Sequence, residues 1–329
     1  MPLVTLKELE ETTVTALERH GALPWIAEEV ARAVCVAESV GNKICGLFYF
    51  ESYCEQLDSG RVKGDVEPEI SFPKPGAVNV DAKFGFAQPA FARGLPKAVE
   101  AAQELGIASL AIGHSHTATS LGYFTEQIAR AGFIGLGTTN ASARVAPPGG
   151  KTPILGTNPM SFSVPDGNGG VAMLFDHSTS SVALGRISMA KALGKQIPEG
   201  WALDSEGHPT TDADAALAGS LSSMGGYKGW GLGLMVELLA AGMTGSVVSQ
   251  DVQPLKAKEG APHDLGQYYL LIDPSVSGAF FERLGAINSA VAEEESTRIP
   301  GQNKQYNDPV DVDQAVWDRT LELAGMTKP

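Results

Sequence analysis

The chain has 329 residues, 43% of them hydrophobic and 19% charged, enough for two or three domains with shared buried cores. No run of about 18 apolar residues reads as a membrane span. Lys and Arg number 24 against 38 Asp and Glu, and the net charge of −14 carries no basic cluster, which argues against nucleic acid as a partner. The opening "MPLVTLKELEETTV" lacks a basic stretch followed by an apolar one, so it reads as no signal peptide and the expected location is cytoplasmic. Cys35, Cys45 and Cys54 are odd in number and form no CxxC, which excludes a disulfide framework or a cysteine zinc site.

In chain order, Thr5 and Glu8 form a capping box for a first helix that Gly21 ends, and Pro24 starts a second. Residues 42–62 read as a third helix. Residues 66–90 are rich in Pro and Gly and read as short strands and turns. "LPKAVEAAQELG" is helical and leads into an apolar strand over 107–113. A helix over 121–132, a strand "FIGLGTT", a strand over 171–176 and a helical stretch to about 194 follow. A polar, turn-rich connection separates these from the apolar, Gly-punctuated helix "GYKGWGLGLMVELLAAGMTG". The strand "LGQYYLLIDP", a helix over 275–294 and an acidic C-terminal helix complete the chain. Alternation of this kind predicts an α/β fold, with helices from both chain ends packing as one unit.

The usual nucleotide fingerprints are absent. "GLGTTN" and "GWGLGL" each miss the last glycine of GxGxxG, and "GGKT" lacks the leading glycine of a Walker loop. A metal is not expected: tetrahedral zinc needs three or four ligands, and no Cys or carboxylate stands close behind His114 and His116. Three segments dense in hydroxyls and turn formers remain, "HSHTATS", "APPGGKTPILGTNP" and "FDHSTS". Each lies at or beyond a strand end, where α/β proteins collect ligands, and their backbone N–H groups can cradle a phosphate. Lys228, a lone cation at the start of an apolar Gly-rich helix, can meet an anion there. Asp176 ends a strand and can cap the helix after it.

Those segments, with "GGYKGWGLGLMVELLAAGMTG" and "RIPGQNK", resemble the malate/L-lactate dehydrogenase-type family of NAD(P)-dependent oxidoreductases over residues 25–305. The resemblance implies a non-Rossmann α/β fold and a homodimer using NADPH or NADH. It implies a mostly helical terminal domain (1–115 with 300–329) and a cofactor domain (116–299). The loop His116, Thr117, Ala118, Thr119 and Ser120 would touch the cofactor phosphates, with Asp176, His177 and Ser178 along the dinucleotide. Lys228 and the late loop of Arg298, Gly301 and Lys304 would complete that site. Thr157, Leu184 and Gly185 would lie near the substrate.

The sequence departs from this family at one place. Members commonly carry Ser-His-Gly at the start of the third helix, the histidine acting as proton donor; here the residues are Ile44, Cys45 and Gly46. The positions of the Asp and Arg that back that histidine in imino-acid reductases look like Arg186 and Tyr49. Hydride transfer to a ketone makes an alkoxide, and loss of the donor costs on the order of 10²–10⁴-fold. A cyclic imine can bind already protonated, so hydride alone completes the reduction. The expected activity is therefore NAD(P)H-dependent reduction of delta-1-pyrroline-2-carboxylate, and of its piperideine homologue, to L-proline and L-pipecolate. Cys45 is expected to line the pocket or to donate a proton. Tyr49 and Tyr53 are expected to line the ring pocket, and Arg186, Arg144 or Lys43 to anchor the carboxylate. Two alternatives stand beside this: a 2-hydroxy acid dehydrogenase in which His116 moves the proton, and a nucleotide-binding protein without turnover.

Overall fold

A computed structural model describes residues 1–326. The chain starts with a short strand, β1 (Leu3–Val4), and two helices, α1 (Leu6–Arg19) and α2 (Pro24–Ser39). A 3-10 turn, Leu47–Tyr49, runs into α3 (Phe50–Asp58). Then come the hairpin β2 (Glu69–Lys74) and β3 (Ala77–Asp81), helix α4 (Ala87–Leu105), β4 (Ile107–Ser115) and α5 (Leu121–Arg130). Strands β5 (Ile134–Thr139), β6 (Met160–Pro165) and β7 (Val171–His177) precede α6 (Leu184–Ala192). A small appendage follows: β8 (Ala202–Leu203), β9 (Pro209–Thr210), α7 (Ala213–Ala218) and β10 (Ser220–Leu221). Helix α8 (Tyr227–Glu237) ends in a π-helical turn, Leu238–Gly242. The chain closes with β11 (Leu265–Ile272), α9 (Phe280–Ala292), β12 (Val310–Asp311) and α10 (Gln314–Ala324).

Seven strands form one sheet in the order β2-β3-β4-β11-β5-β6-β7. Only β3 and β4 pair in parallel; every other ladder is antiparallel. Strand β11 runs opposite to both β4 and β5, so those two point the same way, and β7 joins them because β6 reverses between. The C-terminal ends of β4, β5 and β7 therefore share an edge of the sheet with the N-terminal ends of β6 and β11. Helices α4 and α5 cover one face, where Phe91, Phe124, Ile128, Leu110, Ile112 and Tyr269 are buried together.

The two chain ends pack as one unit. Leu9, Leu17, Val30, Phe50 and Leu57 share a core with Trp317 and Leu321, and β1 pairs with β12. Thr5 caps α1 by accepting the Glu8 N–H at 3.2 Å, as the capping box predicts. Strands β2, β3 and β4, all before residue 116, are hydrogen-bonded into the sheet that also holds β5–β7, so a boundary at 115/116 cuts through this sheet rather than between layers.

Three expectations of local structure need correction. The third helix does not fill residues 42–62: Asn42–Gly46 is a turn, and only Phe50–Asp58 is α-helical. Glu38 governs that turn, since its carboxylate accepts the Leu47 N–H at 2.7 Å and a Cβ on Gly46 would sit 2.2 Å from its oxygen. Helix α4 begins at Ala87, inside the stretch read as turns, because Ala87, Ala90, Phe91 and Gly94 continue its buried stripe. Strand β6 was not anticipated; its alternating Ser161 and Ser163 are buried and bonded to α5, Ser161 to the Thr125 hydroxyl and Ser163 to the Thr125 carbonyl, which hides a strand in a polar-looking sequence.

Candidate active site

At the shared sheet edge lies a cavity of about 260 Å³. Thr117, Ala118 and Thr119 come to it from the end of β4, Thr139 to Ser142 from the end of β5, and Thr157 and Pro159 from the approach to β6. Ile44, Cys45 and Tyr49 close it from the helical unit. Val252, Gln253, Leu255, His263 and Leu265 form the remaining wall. Ligand sites in α/β folds sit at strand C-terminal ends, and two such ends, those of β4 and β5, meet here.

The walls are held by polar bonds that spacing alone does not reveal. Asn140 donates to the Val247 carbonyl at 2.8 Å and accepts the Gly266 N–H at 3.2 Å. Asn158, buried at a φ of +36°, donates to the Glu237 carboxylate at 2.7 Å and to the Gly233 carbonyl at 3.0 Å. Glu237 also accepts the Ser249 N–H at 2.6 Å, so α8 fixes the turn that presents Thr157. The Thr157 carbonyl in turn accepts the Thr179 N–H at 2.9 Å.

Asp176, at the end of β7, reaches the start of α5. Its Oδ2 accepts the Gly122 N–H at 2.7 Å and the Ser120 hydroxyl at 3.3 Å, while Oδ1 has no partner among the described residues. Gly122 is needed there, because a Cβ would lie 3.0 Å from the carboxylate. Crowding around this carboxyl raises its pKa, and the Gly122 and Ser120 bonds only partly oppose that. Burial pushes the Cys45 thiol up to about 12, with the Asp176 charge adding to the rise. The Asp176 charge is thus felt at Cys45 across 131 positions of sequence, a coupling that spacing does not show. Asp176 also occupies the α5 N-terminus, where the 116–120 loop was expected to receive a phosphate.

The expected site residues divide. Cys45, Tyr49, Thr117, Ala118, Thr119 and Thr157 meet at the cavity. Gly185 is beside it, a Cβ there falling 3.2 Å from Ile44 Cδ1, and Leu184 starts the same helix. Tyr53 is buried with its ring 5.4 Å from that of His116, and neither side chain reaches the cavity wall. His116 Nε2 is held 3.0 Å from Gln56 Oε1. Arg186 is exposed and forms no ion pair among the described residues. His263 on the wall was missed: it is a lone histidine in a polar, turn-rich segment, and only its two-residue spacing from inward-facing Leu265 hints at its direction.

Backbone bonds join some of the segments that hold the expected cofactor residues. Segment 178–181 runs against 222–224 before α8, with Met224 N–H on the Thr179 carbonyl at 3.0 Å. His177 Nδ1 donates to the Ser178 carbonyl at 2.9 Å. The Leu174 N–H bonds the Pro300 carbonyl at 3.0 Å, and a Cβ on Gly301 would strike that Leu174 backbone. Lys304 binds Glu126 on α5 at 2.5 Å and is not free for a phosphate. Helix α8 starts on Gly225 and Gly226, both at positive φ with open space above them, and no side chain caps it. Lys228 and Arg298 are exposed without partners among the described residues. An uncapped helix start beside a free lysine fits the phosphates of a dinucleotide.

The family model described as malate/L-lactate dehydrogenase matches residues 4–318. The chain belongs to this family. It is an NAD(P)-dependent oxidoreductase with the family's α/β fold. A (2R)-3-sulfolactate dehydrogenase (NADP(+)) of Chromohalobacter salexigens is 41% identical over 300 residues, covering 91% of this chain and 90% of that one. A delta-1-pyrroline-2-carboxylate/delta-1-piperideine-2-carboxylate reductase of Pseudomonas aeruginosa is 37% identical over 308 residues, covering 92% and 91%. The crystal structure of delta-1-piperideine-2-carboxylate reductase from Pseudomonas syringae superposes with a TM-score of 0.90 at 31% identity, covering 98% of this chain and all of that one. Among the described residues no helix is long and apolar enough to cross a membrane, and no cluster could hold a metal.

Proposed function

We propose that this chain reduces a cyclic 2-imino acid, delta-1-pyrroline-2-carboxylate and its six-membered homologue, to L-proline and L-pipecolate. The observation that carries this reading is Cys45, standing where the resemblance implies a proton donor and coupled in charge to Asp176, whose carboxyl has a raised pKa. Bound NAD(P)H supplies a hydride. Asp176 Oδ1, the oxygen left free by Gly122 and Ser120, holds or gives the proton on the imine nitrogen. Hydride arriving at the carbon of C=N–H⁺ leaves a neutral amine, so no further acid is needed. Tyr49, Ile44 and Leu255 exclude water around a small ring, and Thr117, Thr157 and Asn140 offer hydrogen bonds.

The sulfolactate relative favours a second reading, oxidation and reduction of a 2-hydroxy acid. Two features weigh against it. No Lys or Arg is on the cavity wall to hold a dianion. His116, the donor in that reading, is 2% exposed, and burial, followed by its neighbours His263 and Arg61, drives its pKa well below the ordinary histidine range.

The deciding assay measures NAD(P)H oxidation with both cyclic imines, pyruvate, oxaloacetate and sulfopyruvate. Turnover of oxo acids without turnover of imines refutes the proposal. We also infer a homodimer, because Leu234, Met235, Leu238 and Met243 leave the α8 helix and its π-helical extension apolar and exposed; sedimentation would show a monomer if this is wrong.

A further inference from the structure

None of the cations that the sequence offers for a substrate carboxylate lines the cavity. Lys43 donates to the Asp311 carbonyl at 2.8 Å, while Arg144 and Arg186 are exposed at the surface. A different guanidinium is buried behind the wall. Arg61, 2% exposed, donates from Nε to the Ala261 carbonyl at 2.9 Å and from Nη1 to the Ala257 carbonyl. Its Nη2 is buried without a partner, and no carboxylate forms an ion pair with it. A buried charge without a counter-ion is costly, and carbonyl dipoles offset only part of that cost.

Two imidazoles lie in its field. His263 is on the cavity wall, and its ring centroid is 4.7 Å from that of His116. Gln56 settles how the inner ring is protonated. Its Nε2 donates to the Leu255 carbonyl at 2.7 Å, so its Oε1 accepts from His116 Nε2–H at 3.0 Å. His263 Nε2–H turns to the same Leu255 carbonyl at 3.4 Å. Both rings are thus neutral, each with a bare, buried Nδ1. The cluster contains one positive charge and no negative one. On a different wall of the same cavity, Cys45 feels the charge of Asp176, which lies outside the lining.

We propose that Arg61 is the anion anchor of this cavity, its uncompensated charge acting across His263 on the carboxylate of a small ring acid. It is a positioning residue, since His263 and not Arg61 meets the ligand. The inference deepens the imine-reductase reading and rests on it for the ring. A protonated cyclic imino acid carries a cation on the ring nitrogen and an anion on the carboxylate, and Arg61, behind the His263 wall, is the charge that matches the anion.

The test compares pyrrole-2-carboxylate with pyrrole-2-carboxamide, unreactive ring analogues that differ in charge, by calorimetry on the full chain with saturating NADP⁺. The wild type is expected to prefer the acid, and Arg61→Gln to lose about 10- to 50-fold of that preference, as expected for a unit charge several ångströms away at an effective dielectric near 20. Amide binding and NADP⁺ binding should be unchanged. Arg61→Lys keeps the charge but breaks the fork to Ala257 and Ala261, so it should retain the preference; it decides the matter alone if Arg61→Gln does not fold. Equal weakening of acid and amide in either variant, or no preference in the wild type, overturns the anchor. Failure of the wild type to reduce any imine overturns the imine reading instead, because the binding comparison needs no turnover.

Discussion

Replacing Cys45 separates a pocket-lining thiol from a proton donor. With its pKa pushed up to about 12, this thiol is ionised at pH 8 in about one molecule in 10⁴. An ordinary cysteine near 8.5 is ionised in roughly one in four, so alkylation of native Cys45 by iodoacetamide should be slower by about three orders of magnitude. An acid this weak gives little help to a reaction at neutral pH. Cys45→Ala should therefore keep at least about a third of kcat/KM on the cyclic imine, well short of the 10²–10⁴-fold loss that follows removal of a working donor. Cys45→His puts an imidazole on the cavity wall and should raise reduction of 2-oxo acids by about 10²-fold. Initial rates with both substrate classes, and mass spectrometry of the alkylated protein, give all three numbers. A loss of 100-fold or more in Cys45→Ala on the imine, or alkylation at the ordinary rate, would refute the reasoning.

Asp176→Asn keeps an oxygen for Gly122 and Ser120 but removes the proton and the charge, and kcat/KM on the imine should fall by about 10²–10⁴-fold. Its stability effect runs the other way. Asp176 has a raised folded pKa, so the native state binds more protons than the unfolded one and loses stability as pH rises through that range. The Asn variant should be the more stable at neutral pH, with the difference closing below the ordinary carboxyl range; thermal melts across pH 3–8 read this directly. Lys228→Ala should weaken cofactor binding by about tenfold, as for one charge-assisted phosphate contact, with little change in kcat at saturation; unchanged affinity by fluorescence titration would remove Lys228 from the site.

The fold was legible where apolar runs were long. The strands at 107–113 and 265–272 and the capped helix α1 announce themselves through buried residues and a capping box. The site was legible only in its loops. The hydroxyl-rich turns at 117–119 and 157 reach the cavity because β4 and β6 end on one edge. What was hidden depends on contacts between distant segments. Asp176 reads as a cap of the helix after its strand, yet its carboxylate crosses to the start of α5. Arg61 follows "EQLDSG" like any surface charge, and only the strap at 255–263 folding over it makes it buried. Turn 42–46 defeats the helical pattern because the Glu38 carboxylate takes the N–H that a helix would have used.

Strand β11 lies between β4 and β5, which come more than 120 residues earlier in the chain. On the ribosome, β4 and β5 therefore wait with unpaired edges until residue 272 has emerged, and α1 waits longer still for α10. Long-range closure of this kind slows folding and leaves apolar strand edges open to wrong partners. Nascent chains truncated before β11 should bind holdase chaperones, and those extended past α10 should release them.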